Sequence, residues 1–234
     1  MKNTFAFILI FLAINTYAQY PGGMFSKDPL LNQENFDQQR LSWGYFLGFN
    51  SFDFKFNYKE NSTEILVDRS TGFNVGLIGD LRLNNYFNLR FEPGLYYTQR
   101  ILNYPDQIKE IDQTREVSST YINFPLLLKF SSVRTGNIKP FLVGGVSTSL
   151  NLSSNSESID DNLQQKFRVK TWTQNYELGI GIDLYFEYFK FSPSVRGVFG
   201  IGNELIPDND PNSPWTGNIS SLQTRGLLVN FTFQ

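Results

Sequence analysis

The chain contains neither cysteine nor histidine. Without cysteine there is no disulfide framework and no thiol or cluster chemistry, although an exported protein would have been free to form disulfides. Without histidine both the commonest general base and the commonest metal ligand are missing. An excess of one charge is lacking too: 20 Lys and Arg stand against 22 Asp and Glu. The basic residues are too scattered to form a stripe for a nucleic-acid backbone, and no nucleic-acid partner is expected. Beyond residue 18, no run is apolar enough to cross a bilayer as a helix.

What the chain has in quantity is Phe, Tyr, Gly and Asn, arranged with a period of two. From Tyr86 to Thr98, Phe87, Leu89, Phe91, Pro93, Leu95 and Tyr97 alternate with Asn88, Arg90, Glu92, Gly94, Tyr96 and Thr98. Such a beat is a strand with one apolar and one polar face. It recurs in Phe73, Val75, Leu77, Leu81 and Leu83, with Asn84-Asn85 as a two-residue turn that tolerates positive φ. Tyr176 to Phe186 repeats it, and a turn near Glu187 leads into Phe189 to Ile201.

The first residues combine Lys2, an apolar run from Phe5 to Ile14 too short to span a bilayer, and small residues at Thr16-Tyr17-Ala18. We read Met1 to Ala18 as a cleaved signal peptide. Residues 19–41 form a polar N-terminal extension, and 42–234 the folded domain.

Eight strands are expected, around Trp43–Tyr58, Thr71–Leu83, Tyr86–Arg100, Ser119–Phe130, Pro140–Leu152, Lys170–Phe186, Tyr188–Gly202 and Ile219–Phe233. The even number suits a single-chain barrel. In the first strand Trp43, Tyr45, Leu47 and Phe49 hold one phase and Phe52, Phe54, Phe56 and Tyr58 the other, which predicts a bulge near Asn50-Ser51. Connections alternate between short and long, with the long ones polar. The fold class is therefore all-β: an eight-stranded antiparallel transmembrane β-barrel with short periplasmic turns, long extracellular loops and both termini periplasmic, in the outer membrane.

Alternation alone does not say which face is outside, since a soluble barrel would bury its apolar face. Trp43, Phe87, Phe130, Phe141, Phe186, Phe189 and Phe233 cluster at the short-turn ends, as an aromatic girdle would. The opposite phase carries Asp80, Arg82, Arg90, Glu92, Lys129, Glu177, Asp183, Lys190 and Arg196, charges of both signs expected to pair in a narrow lumen.

Arg225-Gly226-Leu227-Leu228-Val229-Asn230-Phe231 resembles the assembly signal of outer-membrane barrels, with Gly226, Val229, Phe231 and Phe233 as its key positions and Thr232-Phe233-Gln234 following. Membrane lipid and the barrel-assembly machinery are the partners this implies.

Three segments carry a family resemblance: Glu34-Asn35-Phe36-Asp37, Leu41-Ser42-Trp43-Gly44-Tyr45-Phe46-Leu47-Gly48-Phe49-Asn50-Ser51-Phe52-Asp53-Phe54-Lys55, and Tyr121-Ile122-Asn123-Phe124-Pro125-Leu126-Leu127-Leu128-Lys129-Phe130. Together they resemble the PorT (SprT) family, within a wider group of PorT-like outer-membrane barrels. The strand at Phe124–Phe130 and the Lys139–Gly145 segment are general to the wider group; the stretch before and through Lys55 narrows it to PorT. That resemblance implies a non-enzymatic role in type IX protein secretion and gliding motility, in contact with other components of that system. No catalytic, cofactor or metal residues carry over from it.

Catalysis is not expected on the residues either. Histidine-dependent barrel hydrolases need a base that this chain lacks, and a Glu92–Asp80 carboxylate pair has Arg82 and Arg90 for neighbours. Asp208-Asn209-Asp210-Pro211-Asn212 opens like a calcium loop but lacks the Gly and distal Glu of an EF-hand. Function is left to surfaces. Phe25, Leu30, Leu31 and Phe36 in the extension are candidate anchors for a partner, and the lumenal charges are candidates for locking a closed scaffold. The alternative is a structural or adhesive barrel whose outer loops bind a ligand.

Overall fold

The computed structural model describes residues 30–60, 64–105, 107, 113–156, 167–210 and 213–234. Met1–Ala18, read above as a signal peptide, and Phe25 lie outside these described residues. Period-two alternation becomes antiparallel strands throughout: β1 (Leu41–Tyr58), β2 (Leu66–Arg69), β3 (Thr71–Arg82), β4 (Phe87–Phe91), β5 (Gly94–Asn103), β6 (Thr114–Ser131), β7 (Ile138–Asn151), β8 (Trp172–Tyr185), β9 (Lys190–Gly200) and β10 (Ile219–Phe233). Each stave pairs with the next, and β10 pairs with β1, so the ring closes; β2 pairs with β5 alone, and β1 pairs with β3 only from Leu41 to Ser51.

Ten strands make a ring of eight staves because two staves are interrupted. Between β4 and β5 the interruption is Pro93, which has no N–H to donate; the pairing register with β3 continues unchanged from Asp80↔Arg90 to Gly76↔Gly94. Between β2 and β3 the register against β5 slips at Ser70, from Phe73↔Tyr97 to Arg69↔Arg100. The second stave thus carries a register slip, and a further one falls between Asn57 and Tyr58, where β1 passes from Asn57↔Ser221 to Tyr58↔Ile219. The bulge predicted at Asn50-Ser51 is absent, since β1 runs in unbroken register with β10 from Tyr45↔Phe233 to Asn57↔Ser221.

The first strand changes environment, not phase. Phe46, Asn50, Phe52 and Phe54 all point inward, while Trp43, Tyr45, Leu47 and Phe49, then Lys55 and Asn57, point outward. Near the short turns the barrel is apolar outside and polar inside. Near the long connections the order inverts: Phe54, Leu102, Tyr104, Val117, Phe167, Val169, Leu205, Ile219 and Leu222 fill the interior. Thr114, Glu116 and Ser118 face out on the same stretch of β6. The apolar belt, with Leu77, Leu126, Leu142, Leu178 and Ile180 among its exposed members, is far too continuous for water and matches the hydrocarbon-facing band of a membrane barrel. This answers which face is outside.

At the short-turn end the belt is rimmed by rings in contact. Tyr45 stacks on Phe233 at 5.3 Å, Phe189 lies 6.0 Å from Phe233 and 5.1 Å from Phe186, and Phe87 lies 5.0 Å from Phe130. Trp43 is exposed beside them. Phe141, expected in this girdle, instead turns into the lumen, where the absence of a side chain at Gly181 makes room for its ring.

The turn at Asn84 also departs from expectation. Residues 83–86 join β3 to β4, and Asn84 Oδ1 accepts the N–H groups of Tyr86 and Phe87, each at 2.8 Å. A side-chain cap of this kind replaces the positive-φ turn; the positive-φ residues described are Gln33, Gly136 and Asn155.

Candidate functional site

Inward positions of neighbouring staves bring the lumenal charges face to face. Asp80 and Arg90 are cross-strand partners, and Asp80 Oδ2 accepts from Arg90 Nη2 at 2.8 Å and Nε at 3.0 Å. The other arm of Arg90 reaches Glu92 Oε1 at 3.3 Å, and Glu92 Oε2 accepts from Arg196 Nη2 at 2.6 Å. Arg196 Nη1 then lies 3.1 Å from Glu177 Oε2, an ion pair without aligned hydrogen-bond geometry. Glu177 Oε1 accepts from Asn123 Nδ2. The result is one zigzag of alternating sign across β3, β4, β9 and β8.

A second group stands beside it. Lys129 Nζ donates to Asp183 Oδ2 at 2.6 Å, Ser192 Oγ donates to Asp183 Oδ1 at 2.6 Å, and the Lys129 ammonium sits 4.1 Å from the Phe141 ring centroid. Lys190, also buried, places its ammonium over the Phe36 ring at 4.4 Å. Asp80, Glu92, Glu177 and Asp183 thus face Arg90, Lys129, Lys190 and Arg196, and within these two groups the charges balance. That balance is what makes such burial tolerable, since an unpaired ion there would cost several kcal/mol, about 3–5.

Arg82 is not part of this network. It lies at the rim, half exposed, donating to the Gln38 carbonyl at 3.3 Å and to Asn85 Oδ1. One inward step beyond Asp80 towards the turn takes a side chain out of the dry lumen and into the mouth. Between Asp80 and Glu92, the carboxylate pair weighed above as a possible acid and base, stands Arg90, bonded to both.

Above the charges the filling changes to amide and aromatic groups. Asn74 Nδ2 donates to Asn230 Oδ1 at 2.7 Å, and Asn50 Nδ2 to the Phe73 carbonyl at 2.9 Å. Arg100 is fully buried, donating to Tyr121 Oη at 2.8 Å with its guanidinium 3.9 Å from the Phe54 ring centroid. It marks the border with the apolar upper interior.

The short-turn mouth is closed by the chain's own residues 30–39. Asn32 Nδ2 donates to the Tyr185 carbonyl, and Asn137 Nδ2 to the Leu30 carbonyl. Arg134, its guanidinium 3.7 Å from the Tyr185 ring centroid, donates to the carbonyls of Asn32 and Gln33. Asp37 accepts from Tyr185 Oη at 2.7 Å and lies 3.4 Å from Lys139 Nζ. Phe36 packs edge-on against Tyr185 at 6.3 Å. Phe36, named above as a candidate anchor for a partner, packs here against the barrel itself, whereas Leu30 and Leu31 are exposed. Beside this strap is a cavity of about 230 Å³ lined by Asp37, Asp80, Arg82, Arg134, Lys139 and Lys190, among others.

A closed ring with a lipid-suited belt and a charged lumen is now in view, and a sequence profile for an outer membrane protein beta-barrel domain matches residues 29–205. The chain belongs to that family. Its barrel is similar to the crystal structure of OprG from Pseudomonas aeruginosa, at 14% identity and TM-score 0.47, covering 82% of this chain and 94% of that one. The Yersinia pestis attachment invasion locus protein Ail, solved with a heparin analogue, is similar at 10% identity and TM-score 0.40, with coverages of 83% and 99%. The solid-state NMR structure of AlkL is similar at 14% identity and TM-score 0.42, with coverages of 92% and 95%. No curated protein matches the chain in sequence.

Within this outer-membrane barrel, Val229, Phe231 and Phe233 of β10 face the belt, Phe231 stacking on Phe191 at 6.1 Å, and Gly226 lies under the ring of Phe52. Sequence reasoning missed Arg100, Asn74 and Asn230, although their inward phase in an alternating strand was a usable signal. It had no signal for Arg134, Asn137 and Tyr185 as holders of the strap, because those contacts span more than a hundred residues.

Proposed function

We propose that this outer-membrane barrel is a closed, non-enzymatic scaffold of the type IX secretion and gliding apparatus, with its short turns, strap and both termini in the periplasm. The observation that carries the scaffold reading is the filled lumen: ion pairs below, amides and Arg100 in the middle, an apolar plug above. A barrel stoppered along its length works through its surfaces and not by conduction. The resemblance of Trp43–Lys55 to PorT supports the assignment to secretion. In this reading Met1–Ala18 directs export, and the last strand, with Gly226, Val229, Phe231 and Phe233, is presented to the barrel-assembly machinery.

Deletion of the gene is expected to abolish appearance of C-terminal-signal cargo in the medium, with recovery on complementation. Unchanged secretion would overturn the assignment in favour of a structural or adhesive barrel. The scaffold reading is tested separately: purified protein in planar bilayers is expected to show no sustained conductance, and large single-channel events would overturn it.

A further inference from the structure

The strap is held at its C-terminal end by a small constellation that recognises two adjacent side chains. Tyr185 Oη donates to one oxygen of Asp37 at 2.7 Å, and Lys139 Nζ stands 3.4 Å from the other. The neighbouring Phe36 ring sits against the edge of Tyr185, with the Lys190 ammonium over its face at 4.4 Å. A hydroxyl and an ammonium for a carboxylate, with an aromatic edge and a cation for a ring, define a site for an aromatic–acidic pair.

The surroundings suit an anionic guest. Arg82, Arg134, Lys139 and Lys190 line the adjoining cavity against Asp80 and the strap's own Asp37, so removal of Asp37 leaves a net positive mouth. The strap is also weakly built. It is a segment with one short 3₁₀ turn, Phe36–Gln38, no strand of its own, and no fully buried residue in that turn. Its hold on the barrel is a set of polar contacts and the ring of Phe36, and none of residues 30–39 is itself buried, so little apolar area resists its opening.

We infer that the mouth formed by Lys139, Tyr185 and Lys190 is a peptide-recognition site for an aromatic–acidic segment, occupied in this chain by Phe36–Asp37 and able to take the same pair from a partner protein. The partner is thus a protein presenting an exposed Phe-Asp, and binding it lifts the strap. This inference stands on the mouth's chemistry and does not depend on the secretion assignment.

The test uses full-length protein in detergent carrying Asn32→Ala, Phe36→Ala and Asp37→Asn, which loosens the strap and vacates both subsites. A fluorescent peptide of residues 30–39 should bind this variant at least tenfold more tightly than wild type. The same peptide with Asp37→Asn or Phe36→Ala should bind at least tenfold more weakly, and Lys139→Glu in the protein should remove binding. Equal binding of the Asp37→Asn peptide, or no saturable binding by a variant that keeps the heat-modifiable gel mobility of a folded barrel, would overturn the inference. Wild type supplies a second readout should the variant not fold. A saturating peptide should accelerate hydrogen exchange in residues 30–39, and unchanged exchange with bound peptide would place the peptide elsewhere and overturn the inference equally.

Discussion

The ring of Phe52 on β1 lies across Gly226 on its partner strand β10, so close that a Cβ at Gly226 would come within 2.5 Å of Phe52 Cδ1. Phe46 covers Gly76 and Gly94 in the same way. Aromatic rings fill the narrow lumen only because glycines on adjacent staves leave them room. Gly226→Ala should therefore cost about 1–3 kcal/mol through overpacking, and Phe52→Leu in the same chain should recover most of it. The measure is the folded fraction on semi-native gels. A Gly226→Ala defect that Phe52→Leu leaves untouched would assign the glycine to assembly recognition instead.

Lys129→Met removes the ion-pair partner of Asp183 and leaves Ser192 as its side-chain hydrogen-bond donor, and should destabilise the barrel by about 3–5 kcal/mol. Adding Asp183→Leu should return stability to within about 1 kcal/mol of wild type, because the cost lies in the unpaired charge. Urea unfolding in detergent, followed by tryptophan fluorescence, checks both. Equal loss in the single and double variants would show that the pair itself, not its balance, is stabilising.

The inversion of inside and outside along the axis predicts opposite responses to the same substitution. Lysine at Leu178, outward in the belt, should cost about 2–4 kcal/mol in a bilayer. Lysine at Ser118, outward beyond the belt and beside Glu116, should cost under about 0.5 kcal/mol. Conversely, Leu102→Ala inside the upper interior should cost about 2–5 kcal/mol. Folding titrations in lipid vesicles would measure all three.

Glu204 lies beyond the end of β9, buried, accepting from Thr224 N at 2.9 Å and Thr224 Oγ1 at 2.6 Å. Burial holds its carboxyl above the ordinary carboxylate value. A raised folded-state value means that the native protein binds this proton more tightly than the unfolded chain does. Its contribution is complete below the unfolded value of about 4.3 and is lost as pH rises through the folded value. Glu204→Gln, which keeps an acceptor for the Thr224 N–H, should match wild type at low pH and exceed it in stability at pH 8. Melting curves across that range decide the matter, and a gap independent of pH would refute it.

Much of the architecture was legible because the side-chain period of a strand is a local property. Phe87 to Thr98 alternates in the chain as it does in the barrel, and an even number of staves followed from counting such segments. Short and long connections told the two ends apart for the same reason. Where local pattern misled, the environment had changed along one strand. The switch at Asn50-Ser51 looked like a bulge, but β1 leaves hydrocarbon for water there and its apolar residues move to the interior without a slip in register. Phe141 looked like a girdle residue until Gly181, forty residues away, supplied the space that draws it inward.

By itself the sequence determined the strand period, the closed all-β class and the absence of histidine and cysteine chemistry, because each is written in neighbouring residues or in composition. Only the tertiary structure decided which charges meet, that Arg82 stands apart at the rim, that Pro93 and Ser70 divide two staves, and that Phe36 and Asp37 close the mouth onto Tyr185, Lys139 and Lys190. Those outcomes depend on register and closure, which bring together side chains that no period along the chain relates.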